Sequence, residues 1–399
     1  MNLKMLGSIA IVAGTAIGGG MLALPLATAS LGTIPALLLL VAIWGISIYT
    51  SLLMLEINLR AGVGLNVHMI TGMTLGKVGQ FIQGASFLSL LFALTMVYLM
   101  GGSSLLESRF EPLGIEMSRN TAILLFTLIF GGFIAIGVAW IDKASRLLFT
   151  AMVALFVVVV FFLLPEVNPA YILRESASTL VSKGELGNLW LAAIPVVFTS
   201  FGFHVCIATI VRYLDGEAMA LRKVLIIGST IPLVCYILWL MVTLGTVGGA
   251  TVHGFEGSLP KLVGALQGLA HSSVLQQCID LFANLALITS FLGVTMSLFD
   301  YIAELTRAKE NVPGRIQTWL VTFVPPLLCA LYYPDGFIQV LGFAAIPLVV
   351  MIIFLPIAMA LQQRVQKLGG YQVSGGKPAL VLSGILGVII IAAQLWVAL

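Results

Sequence analysis

Two short stretches hold the residue types able to do chemistry, and both lie inside long apolar runs. The first is Gly14-Thr15-Ala16-Ile17-Gly18-Gly19-Gly20, within Leu6 to Ala29. The second is Thr199-Ser200-Phe201-Gly202-Phe203-His204, within Leu189 to Ile210. Glycine costs about 1 kcal/mol more than alanine inside a helix, so Gly18 to Gly20 favour unwinding. Close packing of helices through small residues is the alternative reading. Unwound backbone in an apolar medium exposes N–H and C=O groups that must find partners. The half-helix beginning near Gly20 would aim free N–H groups and a positive dipole end at a carboxylate. The half-helix ending near Thr199 and Ser200 would offer carbonyls to an ammonium. A zwitterionic α-amino acid fits both ends without any full side-chain charge.

Other side chains around these breaks have two readings each. Phe201 and Phe203 either wall a pocket for an aromatic side chain or pack as core. His204, the one histidine near the middle of a helix, either satisfies freed backbone groups or carries a proton, since an ordinary imidazole titrates near ~6.5. Asp280 and Asp300 are twenty residues apart on one segment. That is about 30 Å of helix, so they belong near opposite interfaces, as gates or anchors. Asp280 also counts as a coupling-ion candidate. Between them Asn284, Thr289 and Ser290 bring uncharged polar groups to mid-depth. A substrate hydroxyl would find a partner among Asn284, Thr199, Ser200 and Tyr98. Glu56 and Arg60 are spaced as a structural pair on one helix face.

These groups need a membrane to position them. The chain has 399 residues, 60% hydrophobic and 9% charged. Its mean hydropathy is +1.12. Soluble domains carry about 25% charged residues. A net charge of +3 gives no case for nucleic acid. Cys206, Cys235, Cys278 and Cys329 lack metal or disulfide spacing and read as small buried hydrophobes. The first apolar run is too long and too glycine-broken for a cleaved leader.

Eleven segments are long enough to span: Leu6–Ala29, Ile34–Ile57, Val78–Leu105, Thr121–Ile141, Leu147–Leu164, Leu189–Val211, Val224–Val247, Val274–Phe299, Thr318–Tyr332, Phe337–Leu361 and Ala379–Val397. With the N-terminus inside, only Arg109, Arg119, Arg174, Lys183 and Lys261 fall outside; the other fourteen of nineteen Lys and Arg fall inside. The C-terminus is then external. Eleven divides as five plus five plus one: repeat one at about 6–164, repeat two at about 189–361 and an extra helix at about 379–397. The broken segments, 1 and 6, correspond. Segments 2 and 7 are read as both opening on Ile-Pro, at Ile34-Pro35 and Ile231-Pro232, with Trp44 and Trp239 following. Segments 3 and 8 share Ser86-Phe87-Leu88 and Ser290-Phe291-Leu292. An odd unit length inverts one repeat against the other, the arrangement of many secondary transporters.

Longer motifs then carry a resemblance: Leu6 to Thr15, Gly20 to Ala27, Phe198 to His204, Thr289 to Val294, Leu298 to Tyr301, Phe343, and Gly375-Gly376-Lys377-Pro378. Together they resemble the tyrosine-specific permeases of the hydroxy/aromatic amino acid permease family. The resemblance implies an all-α LeuT-like fold within the amino acid/polyamine/organocation superfamily. It implies proton-driven uptake of L-tyrosine across a bacterial inner membrane, with Thr15 to Gly20 and Thr199 to Phe203 contacting substrate. Ala286 to Ser290 is similar to the helix-8 sodium pattern of sodium-coupled relatives, so H+ and Na+ both stand as coupling ions. The lysine that replaces sodium in some proton-coupled relatives sits in helix 5, which has none here.

The expectation is therefore a single multi-pass transporter domain, not an enzyme, working by alternating access in the lipid bilayer. It needs no cofactor and no obligate protein partner. Tryptophan or a broad aromatic set is the alternative substrate; a channel or an amino-acid sensor is the alternative class.

Overall fold

The computed structural model describes residues 3–110, 114, 117–136, 138–173, 186–309, 311–366 and 369–398. Arg174, Lys183 and Lys367 of the charge pattern lie outside these residues, as do the side chains of 136–143, Lys143 included, and of 186–188. The chain is helical, with no strand among the described residues. Among the described residues, eight helices are long and apolar enough to cross a membrane. A ninth span forms if α1 (Leu3–Ala16) and α2 (Gly19–Thr28), bent by 48° across a short break, act together.

Next come α3 (Thr33–Ala61) and α4 (Val67–Phe110). Gly76 kinks α4 with a φ of 68°, which splits off its first turns and leaves the expected span after it. The helices α5 (Arg119–Ile136) and α6 (Val138–Leu163) follow. A second broken segment consists of α7 (Leu186–Ser200), a 3-10 turn at Phe203–Cys206, and α8 (Ile207–Tyr213). Then come α9 (Ala218–Val247), α10 (Ser273–Thr306) and α11 (Val312–Tyr332). Ser272 caps α10 by accepting from the Leu275 N–H, and Asn311 caps α11 by accepting from the Gly314 N–H. The tenth expected segment is α12 (Phe337–Phe343), a short helix Ala345–Val349, a π turn Val350–Phe354, and α13 (Leu355–Val365). Last is α14 (Gly376–Ala398).

Each expected segment is helical. Two, α5 with 18 residues and the proline-bearing α11 with 21, fall outside the long apolar set. Two expectations need correction. The Ile-Pro pair opens α3, but Pro232 lies inside α9, which starts at Ala218. The cysteines are not uniformly buried: Cys206 is, Cys235 and Cys278 are partly so, and Cys329 is exposed. An apolar thiol facing lipid has no reason to hide.

The helix α1 lies on α9, while α7 and α8 lie on α3; α9 packs on α3, and α10 on both α4 and α6. The broken segments touch through α2 and α7. A short helix, Leu259–Gly268, lays Leu259, Leu262, Val263 and Leu266 on α10, α4, α9 and α2.

One ion cluster locks α3 to α13 and the loop before α14. Glu56 is fully buried. Arg364 binds it with two bonds of 2.8 and 2.7 Å, Arg60 lies 3.3 Å away, and the Val373 N–H donates at 2.9 Å. Removing one partner of such a cluster costs roughly 3–5 kcal/mol, against about 0–1 for an exposed pair. Glu56→Gln should therefore lower the thermal midpoint of the detergent-purified protein by several degrees. Asp215→Asn, which breaks the exposed pair with Lys4, should leave it within a degree.

Candidate functional site

The two breaks meet, with side chains of three other elements, α4, α9 and α10, around the junction. At the first, Ile17 and Gly18 leave the helix and α2 restarts at Gly19. Gly18 is extended (φ 176°, ψ −147°), a conformation any residue adopts, so crowding explains its identity. A Cβ at Gly18 would run into Ser290 Oγ. At Gly19 it would lie 2.6 Å from Tyr98 Cε1 and 3.1 Å from Leu287 Cδ2. At Gly20 it would lie 3.1 Å from Ser200 Oγ. Unwinding and close packing, the two readings of this motif, both hold.

At the second break the chain turns tightly. The Phe201 N–H reaches the Phe198 carbonyl at 3.1 Å, Gly202 N–H the Thr199 carbonyl at 3.1 Å, and Phe203 N–H the Phe201 carbonyl at 2.9 Å. The Thr199 hydroxyl donates to the Pro195 carbonyl, and Ser200 Oγ donates to the Val196 carbonyl.

Two hydroxyls stand in for lost helix bonds, and a third lies beside them. Ser290 Oγ accepts from the Gly19 N–H at 2.8 Å and donates to the Ala286 carbonyl at 2.8 Å. Ser200 Oγ lies 3.4 Å from the Gly20 carbonyl. Tyr236 of α9 does most. Its hydroxyl is 2.7 Å from the Ala16 carbonyl and 2.8 Å from the Ser200 carbonyl, the last residues of α1 and α7. A hydroxyl has one proton, so two helix ends share one donor. The Tyr236 ring is fully buried and stands edge-on to Phe201, 5.2 Å between centroids. The carbonyls expected to stay open at Thr199 and Ser200 thus already have donors, with a second lone pair left on each.

His204 faces elsewhere. Its Nε2 is 3.1 Å from the Ser47 carbonyl and 2.8 Å from Thr50 Oγ1, both on α3. A carbonyl only accepts, so Nε2 carries the proton in the neutral ring. Nδ1 is buried without a hydrogen-bond partner among the described residues, as is Ser47 Oγ. The imidazole stacks on Phe203 at 4.8 Å.

A profile of the tryptophan/tyrosine permease family matches residues 1–394. The chain belongs to that family. It is 38% identical to tyrosine-specific transport system 1 of Haemophilus influenzae, over 97% of this chain and 95% of that protein. It is 35% identical to tyrosine-specific transport system 2 of the same organism, over 97% and 95%. It is also 32% identical to glutamine transporter 2 of Aliivibrio fischeri, over 99% and 100%.

In this permease the expected site residues divide. Ala16, Gly18, Gly19, Gly20, Ser200, Phe201, Tyr98 and Ser290 come together around the breaks; Ile17 is buried beside them. Gly202 turns toward Leu348. Thr15 is exposed and its hydroxyl serves the Ile11 carbonyl. Thr289 serves the Leu285 carbonyl and lies 3.8 Å from the Met152 sulfur on α6. Asn284 donates to the Asp280 carbonyl. Asp280 pairs with Arg109 at the end of α4. It sits ten residues, about 15 Å of helix, from Ser290, as an anchor does. Beside it Arg119 joins Glu107 and Asp335. Tyr236 escaped the sequence reading: a lone tyrosine in an apolar helix has no motif around it.

Two stability tests follow. Gly18→Ala should cost about 1–3 kcal/mol by overpacking, and less than that when measured against a Ser290→Ala background, which lacks the obstructing oxygen. Tyr236→Phe should cost about 1–3 kcal/mol by leaving two buried carbonyls without a donor. Thermal unfolding of the purified variants, with Gly45→Ala as the unobstructed control, reads both.

Proposed function

We propose that this permease imports an aromatic amino acid, L-tyrosine first, across the bacterial inner membrane by alternating access. The N-terminus lies in the cytoplasm and the C-terminus in the periplasm. The junction of the two breaks carries the reading. One half-helix start and two half-helix ends lie within hydrogen-bond reach of shared side chains, and no charged side chain is among them. Such a junction suits the carboxylate and ammonium of an amino acid. Tyr98 and Phe201 supply aromatic surface beside it. The names of the two Haemophilus influenzae relatives favour tyrosine. The glutamine transporter among the relatives fits a common backbone-reading site with a different side-chain pocket.

The packing pattern supports eleven spans with a LeuT-like inverted repeat. Exchanging the two five-helix units maps neighbours onto neighbours. The contact of α1 with α9 maps onto that of α7 with α3, and that of α2 with α9 onto that of α8 with α3. The contact of α4 with α5 maps onto that of α10 with α11, and that of α10 with α6 onto that of α4 with α12 and α13.

A proton is the proposed coupling ion, with His204 Nδ1 as its acceptor. Sodium at Thr289 and Ser290 is the rival. Uptake of labelled tyrosine into proteoliposomes, with proton and sodium gradients imposed separately, decides. Accumulation on a proton gradient alone is expected, with tryptophan and phenylalanine competing weakly and glutamine not at all. A sodium requirement, or saturation by glutamine in place of tyrosine, overturns the assignment. Gly20→Leu should abolish accumulation. His204→Gln should reduce proton-driven accumulation at least tenfold; full accumulation in that variant assigns the imidazole to structure alone.

A further inference from the structure

A groove of about 530 Å³ lies between the second half of the tenth segment and α14. Phe354, Ile357, Leu361, Leu380, Val381 and Gly384 give it apolar walls, and Lys377 stands at one end. Leu361 is 41% exposed and Val381 61%, so the groove opens on the outer surface of the helix bundle. In a membrane-spanning chain that surface faces lipid. Gly384 leaves room at depth: a Cβ there would meet nothing closer than Ile357 Cδ1 at 3.8 Å.

Lys377 is in the first turn of α14, it is exposed, and it has no ion-pair or hydrogen-bond partner among the described residues. Arg60 and Arg364, in the cluster that holds the loop before α14, share the one carboxylate of Glu56, so that cluster keeps a net positive charge. The loop from Gly369 to Gly376 contains no acid. From Lys377 to Gly384 is seven residues, roughly 10 Å along a helix. A cationic head position at the helix end, with an apolar trough running down from it, matches a phosphate joined to an acyl chain. The Gly375-Gly376-Lys377-Pro378 motif, which the transport site does not use, sits at the head of that trough.

We infer that this groove binds one anionic phospholipid, its phosphate at Lys377 and an acyl chain along Leu380, Val381 and Gly384. A lysine at a membrane surface attracts anionic lipid head groups. The proposed orientation places Lys377 at the cytoplasmic surface. The site is separate from the breaks, so its failure would leave the transport reading untouched.

The test uses the full chain in a neutral detergent, with phosphatidylglycerol or phosphatidylcholine of the same acyl chains added in series. Phosphatidylglycerol should raise the thermal midpoint by several degrees, at least twice the rise with phosphatidylcholine. Native mass spectrometry should show one retained phosphatidylglycerol. Lys377→Gln, a surface change, should abolish the preference between the two lipids. Gly384→Leu, which fills the trough, should abolish retention. Equal response to the two lipids, the same rise with inorganic phosphate alone, a preference that persists in Lys377→Gln, or retention that persists in Gly384→Leu each overturns the proposal.

Discussion

A helix interrupted inside a bilayer survives only where side chains replace the hydrogen bonds its backbone has given up. That requirement organises the centre of this molecule. Breaking α1 from α2 and α7 from α8 frees main-chain groups whose side-chain partners among the described residues are all uncharged. Each unsatisfied buried group would cost roughly 1–3 kcal/mol. Ser290 and Tyr236 meet the demand from two other helices, α10 and α9. For their oxygens to come close enough, the chain between them must lack side chains. The three glycines are thus a consequence of the hydrogen bonding as much as of the unwinding.

Charge obeys the opposite rule and collects at the ends. Arg109 with Asp280, and Arg119 with Glu107 and Asp335, join elements at one end of α4 and α10. Glu56 with Arg60 and Arg364 does so at the other end of the bundle. Ions are cheap near water and expensive in hydrocarbon. The spans are therefore tied together at their rims by ions and at their middle by neutral hydroxyls.

Much of this could be read from the residues, for physical reasons. Consecutive glycines inside an apolar run are expensive, so the break at Gly18 declared itself. The Phe201-Gly202 turn did so less strongly, because one glycine between phenylalanines is also ordinary packing. The placement of Asp280 near an interface followed from helix rise alone, and its pairing with Arg109 agrees. Tyr236 was hidden because a hydroxyl acting on backbone carbonyls 36 and 220 residues away leaves no local pattern. Pro232 was misplaced because proline often marks a first turn, and here α9 carries it through its interior. The exposure of Cys329 reverses the usual rule for apolar side chains, since the outside of this bundle is itself apolar.

The shared proton of Tyr236 has a mechanical meaning. Two half-helices end at one oxygen, and on the eleven-span reading they arrive there from opposite faces of the membrane. Under the proposed alternating access, either would tilt about that atom without lengthening its bond, and the other would feel the change as a different share of the same proton. Such a fulcrum would transmit rotation while resisting separation, and a rigid pair of levers would rock on it without a hinge of flexible chain.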